Sequence, residues 1–415
     1  MAPGRAVFAF ALAASFFAYA FVQRVAPSVI VGELMAEFAV GAAVLGNLAA
    51  FYFYAYVPMQ MPVGMLMDRF GPRRLMGFAA AVAALGAVVF ALAPTIEIAY
   101  LGRFMVGLGS AFSWIGILTV ATLWLPPQRF ALLTGIAQGI GMVGAVFGQA
   151  PLAHAVAAFG WRGTLLFLAL GGVALAIAIF LVVEDKRTAS GGGTSGFTDG
   201  MRAVMRAPNA WLAAGYGFAM TGTMLAFAGL WAVPWLMQTK EFERGSAALM
   251  ASLMFVGWGA GSPLIGYVVD RVRADRIRAM TALGVGMTAS LAAVLYIPAL
   301  PTTALAVLMV ANGACASGMI LCYGHARDHA PADASSSAYG LVNTAVVGSG
   351  GTLQPTIGWL LDRNWDGAMQ AGARIYAPEA YDRAFVVLLV VAALGTALTL
   401  FMRAPTANIP TQKAD

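Results

Sequence analysis

The sequence predicts an all-α protein that crosses a lipid membrane about twelve times, in two similar six-helix halves. Three observations carry this prediction. The 415 residues are 60% hydrophobic and only 10% charged, whereas a soluble domain carries roughly a quarter charged residues. The apolar residues form long runs, each near the ~20 residues that a helix needs to cross a bilayer. Short patterns in the first half recur 202 to 205 residues later.

The apolar runs place the membrane spans. Because the runs are continuous rather than alternating, they indicate helices and not the strands of a transmembrane β-barrel. The first run follows Arg5 and imitates a secretory signal, but it continues to Ile30 and is better interpreted as the first helix. The twelve predicted spans lie near 7–32, 43–67, 75–95, 98–124, 130–153, 163–183, 210–236, 247–269, 279–298, 302–323, 336–361 and 383–402.

A polar stretch divides the chain into two parts. It contains the charged sequence EDKR followed by TASGGGTSG, and its glycine and serine content is typical of a flexible linker. We therefore expect an N-terminal six-helix bundle at 1–183, a cytoplasmic linker at 184–209 and a C-terminal six-helix bundle at 210–415.

The distribution of Lys and Arg predicts the orientation in the membrane, because cytoplasmic loops carry an excess of both. With the N-terminus in the cytoplasm, sixteen of the 24 lie on the cytoplasmic side. Arg24 and Arg103 fall within spans. The six on the outside are Arg162, Lys240, Arg244, Arg363, Arg374 and Arg383. This bias predicts a multi-pass protein of the cell inner membrane with both termini in the cytoplasm.

The two halves share sequence islands at nearly constant offsets. Asp68-Arg69 closes the second span and Asp270-Arg271 closes the eighth, 202 residues later. Gln149, Pro151 and Trp161 correspond in the same way to Gln354, Pro355 and Trp365. Such repeats predict a duplicated six-helix unit with a substrate site between the halves.

The loop between the second and third spans reads GMLMDRFGPRR. Its glycines permit close helix contact and a tight turn. Asp68 can accept hydrogen bonds where the next helix begins, a position that favours an anion. The arginines Arg69, Arg73 and Arg74 suit contact with anionic lipid headgroups.

Through this loop, the chain resembles the major facilitator superfamily, whose signature G-x-x-x-D-R-x-G-x-R-R it matches at every fixed position. LGRFMVGLGSA around Arg103 is similar to the fourth-helix motif of the same family. The resemblance implies a secondary transporter with alternating access. It also implies a conformational latch, whose residues would be Gly64, Asp68, Arg69, Gly71, Arg73, Arg74, Asp270 and Arg271. The alternative is a loop that serves orientation only.

Two arginines lie within predicted spans, and a charge inside a bilayer is a functional hypothesis by default. At ~1.5 Å of rise per residue, Arg24 and Arg103 lie ~12 Å and ~8 Å below the outer surface. Guanidinium groups suit carboxylate or phosphate, so we expect an anionic or zwitterionic substrate. Two alternatives remain open: Arg103 bonds backbone carbonyls, and Arg24 extends to the membrane interface.

Polar and aromatic residues on the neighbouring spans extend this candidate site. They could hydrogen-bond a polar solute and stack on its apolar part; the alternative is a role in helix packing or in an aromatic belt. Besides the two arginines, the predicted substrate-binding residues are Tyr19, Gln23, Tyr52, Tyr56, Trp114, Trp231, Tyr339 and Asn343, with Gln60 one turn beyond Tyr56.

Coupling to protons requires a titratable group near the cavity. Glu33 and His154 are the candidates, because His titrates in the physiological range and both lie at outer helix ends; the alternative for each is an exposed loop group. No metal site and no cofactor are expected, since His325 and His329 lack further ligands nearby in the sequence.

These features predict a secondary transporter for a small organic anion or zwitterion: a carboxylate, an amino acid or a short peptide. Proton coupling is expected, with a uniporter as the alternative. A drug or siderophore exporter is the alternative, although exporters of cationic drugs usually need an acid in the membrane cavity. A membrane enzyme or sensor would need a catalytic motif, and none appears. The expected partners are the substrate and the bilayer, without nucleic acid, and the protein is expected to be a monomer.

Overall fold

The computed structural model of the chain describes residues 3–126, 129–185, 202–272, 275–331 and 334–404. Nearly all of them are helical. The first half contains α1 (Pro3–Val25), α2 (Val31–Phe38), α3 (Ala42–Phe70), α4 (Pro72–Ala91), α5 (Ile96–Trp124), α6 (Phe130–Phe147) and α7 (Ala150–Val182). The second half contains α8 (Pro208–Ala226), α9 (Ala232–Thr239), α10 (Arg244–Val272), α11 (Arg276–Tyr296), α12 (Thr302–Ala316), α13 (Ile320–Asp328), α14 (Ser335–Arg363) and α15 (Pro378–Leu398).

Several of these helices join end to end into single membrane crossings. A 3-10 turn at Ala26–Val29, which contains Pro27, connects α1 and α2. A π-helical segment at Phe227–Trp231 connects α8 and α9. A 3-10 turn at Ser317–Met319 connects α12 and α13. Each break frees backbone groups inside a crossing, which a membrane protein tolerates only where the protein itself satisfies them.

Ten stretches of the described residues are long and apolar enough to cross a membrane. One of them, Leu132–Val182, has 51 residues and comprises two crossings, because the chain bends at Gly160, where φ is 70°. The polar helix α14 is 29 residues long and is the twelfth crossing. The prediction of twelve transmembrane helices in two bundles is therefore confirmed. Most of the predicted linker, residues 186–201, lies outside the described residues, so its bounds remain a prediction.

A matching pair of close helix contacts shows the similarity of the halves. Gly107 on α5 lies against the backbone carbonyl of Tyr52 on α3, and Gly313 on α12 lies against the carbonyl of Met254 on α10. A Cβ atom at either glycine would overlap the opposing oxygen. Small residues permit this approach of two backbones inside a membrane, and the equivalent helices use it in each half.

The halves meet mainly where α3 packs on α14 and where α6 and α7 pack on α10. We call the end at which α3 begins and α14 ends the outer face, and the opposite end the inner face. At the outer face, Gly46 lies against the backbone of Gln354 and Pro355, and Gly358 lies against the carbonyl of Ala42. The outer face is closed by these backbone contacts.

The inner ends of the same helices lack such close glycine contacts. A Cβ atom at Gly64 on α3, Gly135 on α6, Gly266 on α10 or Gly340 on α14 would have no described atom within 4 Å. The closest backbone contacts between the halves are therefore those at the outer face. A two-bundle protein that gives access from one side at a time is expected to hold its halves together at the other side.

A short β-hairpin lies in the outer loop between α14 and α15. Its strands are β1 (Met369–Gln370) and β2 (Ala373–Arg374), paired antiparallel with Met369 opposite Arg374. The turn needs two residues with positive φ, and Ala371 and Gly372 have φ values of 49° and 82°.

Candidate functional site

Arg24 is a buried cation without an ionic partner. It lies near the end of α1, is 7% exposed, and its Nη2 donates to the Tyr52 hydroxyl at 3.3 Å. Its guanidinium carbon is 4.4 Å from the centre of the Phe21 ring and 5.2 Å from that of Tyr56. Among the described residues, no carboxylate forms an ion pair with Arg24, and its Nε is buried without a partner.

The polar groups continue from Arg24 along α3. Tyr52 and Tyr56 are one helical turn apart and share a face, with their rings stacked at 5.7 Å. Gln60 follows after another turn. Its Oε1 accepts a hydrogen bond from Asn343 Nδ2 on α14 at 2.7 Å, so the series crosses from the first half to the second.

Tyr323 on α13 completes this series. Its hydroxyl donates to Asn343 Oδ1 at 2.9 Å, and its ring lies 6.2 Å from that of Tyr339, which is 39% exposed. The side chains that run from the buried cation across the interface form what we call the polar strip: Arg24, Tyr52, Tyr56, Gln60, Asn343 and Tyr323. The side chain of Gln60 also interacts with the Tyr56 hydroxyl, so the polar strip is continuous from Tyr56 to Asn343.

Arg103 also lies beside Tyr52 and is 1% exposed. Its Nη1 donates to the carbonyl of Gln23 at 2.7 Å and its Nη2 to that of Ala49 at 3.5 Å. Its guanidinium carbon is 5.4 Å from the Tyr52 ring centre, and that of Arg24 is 5.2 Å. The structure thus brings both arginines to one tyrosine. The carbonyl contacts of Arg103 correspond to the alternative interpretation of this residue, a link between α1 and α3.

The other predicted site residues are more dispersed. Tyr19 and Gln23 bond each other through Gln23 Nε2 at 2.8 Å, beside the backbone that holds Arg103. Trp114 is half-buried and its ring lies 5.0 Å from that of Phe17. Trp231 is fully buried in the second half, where its indole N–H donates to the Gln354 carbonyl at 3.0 Å. Among the described residues, no hydrogen bond or ring contact joins these side chains to the polar strip.

Glu33 and His154 lie at the outer face. Glu33 forms an ion pair with Arg244 at 2.5 Å and borders an outer cavity of about 380 Å³. The ring Nδ1 of His154 is 2.7 Å from the carbonyl of Ala150, and its imidazole faces Gly245 across the interface. Both groups are therefore placed on the closed side of the protein.

The signature loop contacts its own half. The backbone N–H of Arg73, in the first turn of α4, donates to Asp185 at 2.9 Å, and Arg73 Nε donates to the Phe180 carbonyl at 2.7 Å. Gly71, with φ of 82°, lies against the same Asp185 carboxylate. In this conformation Asp185 occupies the helix-start position predicted for Asp68. The side chains of Asp68 and Asp270 lie outside the described part, and Arg271 is exposed.

The polar strip combines a buried cation with hydroxyl and amide groups. The cation can pair with a carboxylate, sulfonate or phosphate, and the hydroxyls and amides can bond hydroxyl or amino groups on the same solute. The sequence identified most of the strip but not Tyr323. The 3-10 turn at Ser317–Met319 changes the direction in which the side chains after it point around the helix axis. The periodicity of the apolar residues in the sequence does not reveal that change.

The chain is similar in sequence and in fold to known transporters. The family model described as Major Facilitator Superfamily matches residues 8–355. The uncharacterized transporter YybO of Bacillus subtilis is 30% identical over 38% of this chain and 36% of its own length. The probable sulfoacetate transporter SauU of Cupriavidus necator is 24% identical over 61% and 62%. For these two relatives, the match spans less than two thirds of their length.

A third relative is matched over more of its length. The probable L-galactonate transporter of Escherichia coli is 24% identical over 75% of this chain and 70% of its own. Among solved structures, a bacterial homologue of the human lysosomal transporter Spinster, in an inward-facing and unoccupied conformation, has a TM-score of 0.82 at 18% identity and covers 97% of both chains. The family match spans most of the chain, and this chain belongs to the Major Facilitator Superfamily.

Proposed function

We propose that this transporter carries a small organic anion, with Arg24 as the group that binds the anionic end. The single observation that carries the proposal is a buried guanidinium without a carboxylate partner among the described residues. A cation in a membrane interior costs ~2.5 kcal/mol or more. A protein can bear this cost at a position where a bound anion supplies the missing negative charge.

The rest of the polar strip suggests what the anion carries besides its charge. The hydroxyls of Tyr52 and Tyr56 and the amides of Gln60 and Asn343 suit a solute with hydroxyl or amino groups. Two of the relatives described above bear names that refer to organic anions, sulfoacetate and L-galactonate. Both lines of support point to hydroxylated or amino carboxylates or sulfonates, rather than to an apolar cation.

We propose that transport proceeds by alternating access and is coupled to protons. The closed outer face represents one end of such a cycle. Glu33 and His154 are the proposed proton acceptors, because they lie at the outer face, where protons would enter. The polar strip contributes no carboxylate of its own to this role.

Uptake into proteoliposomes tests the substrate class. Labelled L-galactonate, glutamate and sulfoacetate serve as anionic or zwitterionic probes, with glucose and tetraphenylphosphonium as neutral and cationic controls. We expect saturable uptake of at least one anion and none of the controls, against a background of protein-free liposomes. Preferential transport of tetraphenylphosphonium would instead identify an exporter of cationic drugs.

The same assay tests coupling. An inward proton gradient is expected to raise the initial rate of anion uptake severalfold, and a proton ionophore is expected to remove that increase. If the gradient leaves both rate and accumulation unchanged, transport is not driven by protons and Glu33 and His154 lose their proposed role.

We propose that the inner face and both termini lie in the cytoplasm and that the protein acts as a monomer. In intact bacteria, a cysteine at the exposed outer-face residue Glu97 is expected to react with a membrane-impermeant maleimide. A cysteine at the exposed inner-face residue Arg278 is expected to react only after lysis. The reverse labelling pattern would invert the proposed orientation.

A further inference from the structure

The beginning of α3 has no cap from its own sequence. The first N–H groups of a helix have no partner within it and need an acceptor from elsewhere. The residue before α3 is Gly41, which has no side chain to supply that acceptor. The helix that carries half of the polar strip therefore has no local acceptor for its first N–H groups, which lie at the outer face.

Asp362, at the end of α14 in the opposite half, supplies the missing acceptors. Its Oδ1 accepts from the Ala42 N–H at 3.0 Å and its Oδ2 from the Ala43 N–H at 2.9 Å. A carboxylate at a helix N-terminus is further stabilised by the helix dipole. A cap that local sequence normally provides is here formed between the two halves.

Two further side chains hold this carboxylate in place. The Tyr376 hydroxyl donates to Asp362 at 2.5 Å, and Arg374 on β2 pairs with it at 3.2 Å. Burial and the adjacent Asp362 carboxylate raise the pKa of Tyr376, which keeps this hydroxyl protonated as a donor. Arg374 is itself fixed by the Trp365 ring, 4.2 Å from its guanidinium carbon. The β-hairpin thus fastens Asp362 at the outer face.

The residues around Asp362 repeat the pattern of the signature loop. Gly358-x-x-x-Asp362-Arg363 has the same form as Gly64-x-x-x-Asp68-Arg69. In the outer copy, Gly358 lets α14 approach the carbonyl of Ala42 one turn before Asp362 bonds the helix start. In the inner copy, no described atom would contact a Cβ atom at Gly64. The outer copy is engaged between the halves, and the glycine of the inner copy makes no equivalent contact with a described atom.

We propose that Gly358, Asp362 and Arg363 form an outer-face counterpart of the signature loop, and that Asp362 is the residue that holds the transporter closed on the outer side. Opening of the outer face requires α3 to separate from α14. That separation exposes the carboxylate and the N–H groups of Ala42 and Ala43 to water. Charge-assisted hydrogen bonds are stronger than neutral ones. Because opening of the outer face breaks these bonds, they stabilise the conformation described here, in which the outer face is closed.

Distances between spin labels on the two faces test this proposal without any substrate, so the result is independent of the proposed function. One pair replaces the exposed outer-face residues Glu97 and Glu379 by cysteine; another replaces the exposed inner-face residues Arg129 and Arg278. The native Cys315 and Cys322 are changed to Ala. In each background, Asp362→Asn is compared with the unsubstituted protein.

Asp362→Asn is expected to increase the population with a long outer distance and a short inner distance by about tenfold, as expected for the loss of one charge-assisted hydrogen bond. Asp366→Asn is the matched control. It removes the same charge four residues later, where the carboxylate accepts from the N–H of Ala368 in its own loop and, among the described residues, from no other group. It is expected to leave both distributions unchanged.

Tyr376→Phe provides a second variant if Asp362→Asn does not yield folded protein. It removes the hydroxyl that donates to Asp362 and that also accepts from the Ala42 N–H at 2.9 Å, and it is expected to shift both distributions in the same direction by a smaller amount. Folded Asp362→Asn protein with the distributions of the unsubstituted protein, or an equal shift in Asp366→Asn, would overturn the proposal.

Discussion

Arg24→Ala is expected to reduce anion uptake by about 100-fold or more while leaving the protein folded. The loss corresponds to about 3 kcal/mol, the value of one or two hydrogen bonds to a charged group. The fold is expected to survive because Arg24 is a buried charge with no carboxylate partner among the described residues, so its removal eliminates a desolvation cost. Initial uptake rates in proteoliposomes and the melting temperature in detergent measure the two effects.

Arg103→Ala is the comparison that separates function from structure. Arg103 bonds the carbonyls of Gln23 and Ala49, so its removal is expected to lower the melting temperature as well as uptake. Tyr52→Phe keeps the ring beside Arg24 and removes only the hydroxyl, and a smaller loss of uptake is expected. Normal uptake by folded Arg24→Ala would refute the assignment of the anion to this residue.

The conformation of the polar strip explains why these variants should differ. Arg24 and Arg103 both lie beside Tyr52, yet of the two only Arg103 has its Nη groups bonded to backbone oxygens. A like charge nearby makes each cation more costly in a medium of low dielectric constant. An anion at Arg24 would relieve both costs, and Arg103 would support it without direct contact.

The fold could be predicted from the sequence because a helix that crosses the bilayer must be long and apolar, so helix length and hydropathy identify the crossings. The span predicted at 336–361 corresponds to α14 at Ser335–Arg363. The spans predicted at 130–153 and 163–183 correspond to a pair of crossings divided at Gly160, although α7 begins before that bend. The bounds of helices were less well predicted, since a kinked helix does not interrupt an apolar run.

The site was only partly predictable, because lipid and protein interior are both apolar and polarity does not show which face of a helix points to the cavity. Arg24, Tyr52 and Tyr56 stood out through charge and a four-residue spacing. Trp231 had the same polar and aromatic character but lies within the second half and bonds Gln354. Tyr323 was overlooked because a local 3-10 turn sets its direction.

Gly107→Val is expected to prevent stable folding, because it disturbs the packing of α5 on α3, the helix that carries Tyr52 and Tyr56. A Cβ atom at Gly107 would overlap the Tyr52 carbonyl, so α5 must move away from α3 and displace the tyrosine that both arginines contact. Overpacking of an interior costs typically 1–3 kcal/mol, and here the obstructing atom belongs to the backbone, which cannot rotate aside. Monodispersity on size exclusion and the melting temperature in detergent measure the effect.

Gly171→Val is the matched control, because a Cβ atom at this exposed glycine on α7 would meet no described atom within 4 Å. It is expected to purify and melt like the unsubstituted protein. Gly313→Val adds a direct test of the duplicated architecture: the opposing atom is the Met254 carbonyl, and the loss of stability should match that of Gly107→Val. A tolerated valine at either position would mean that the two halves do not depend on the same backbone contact, and the equivalence of their frameworks would have to be abandoned.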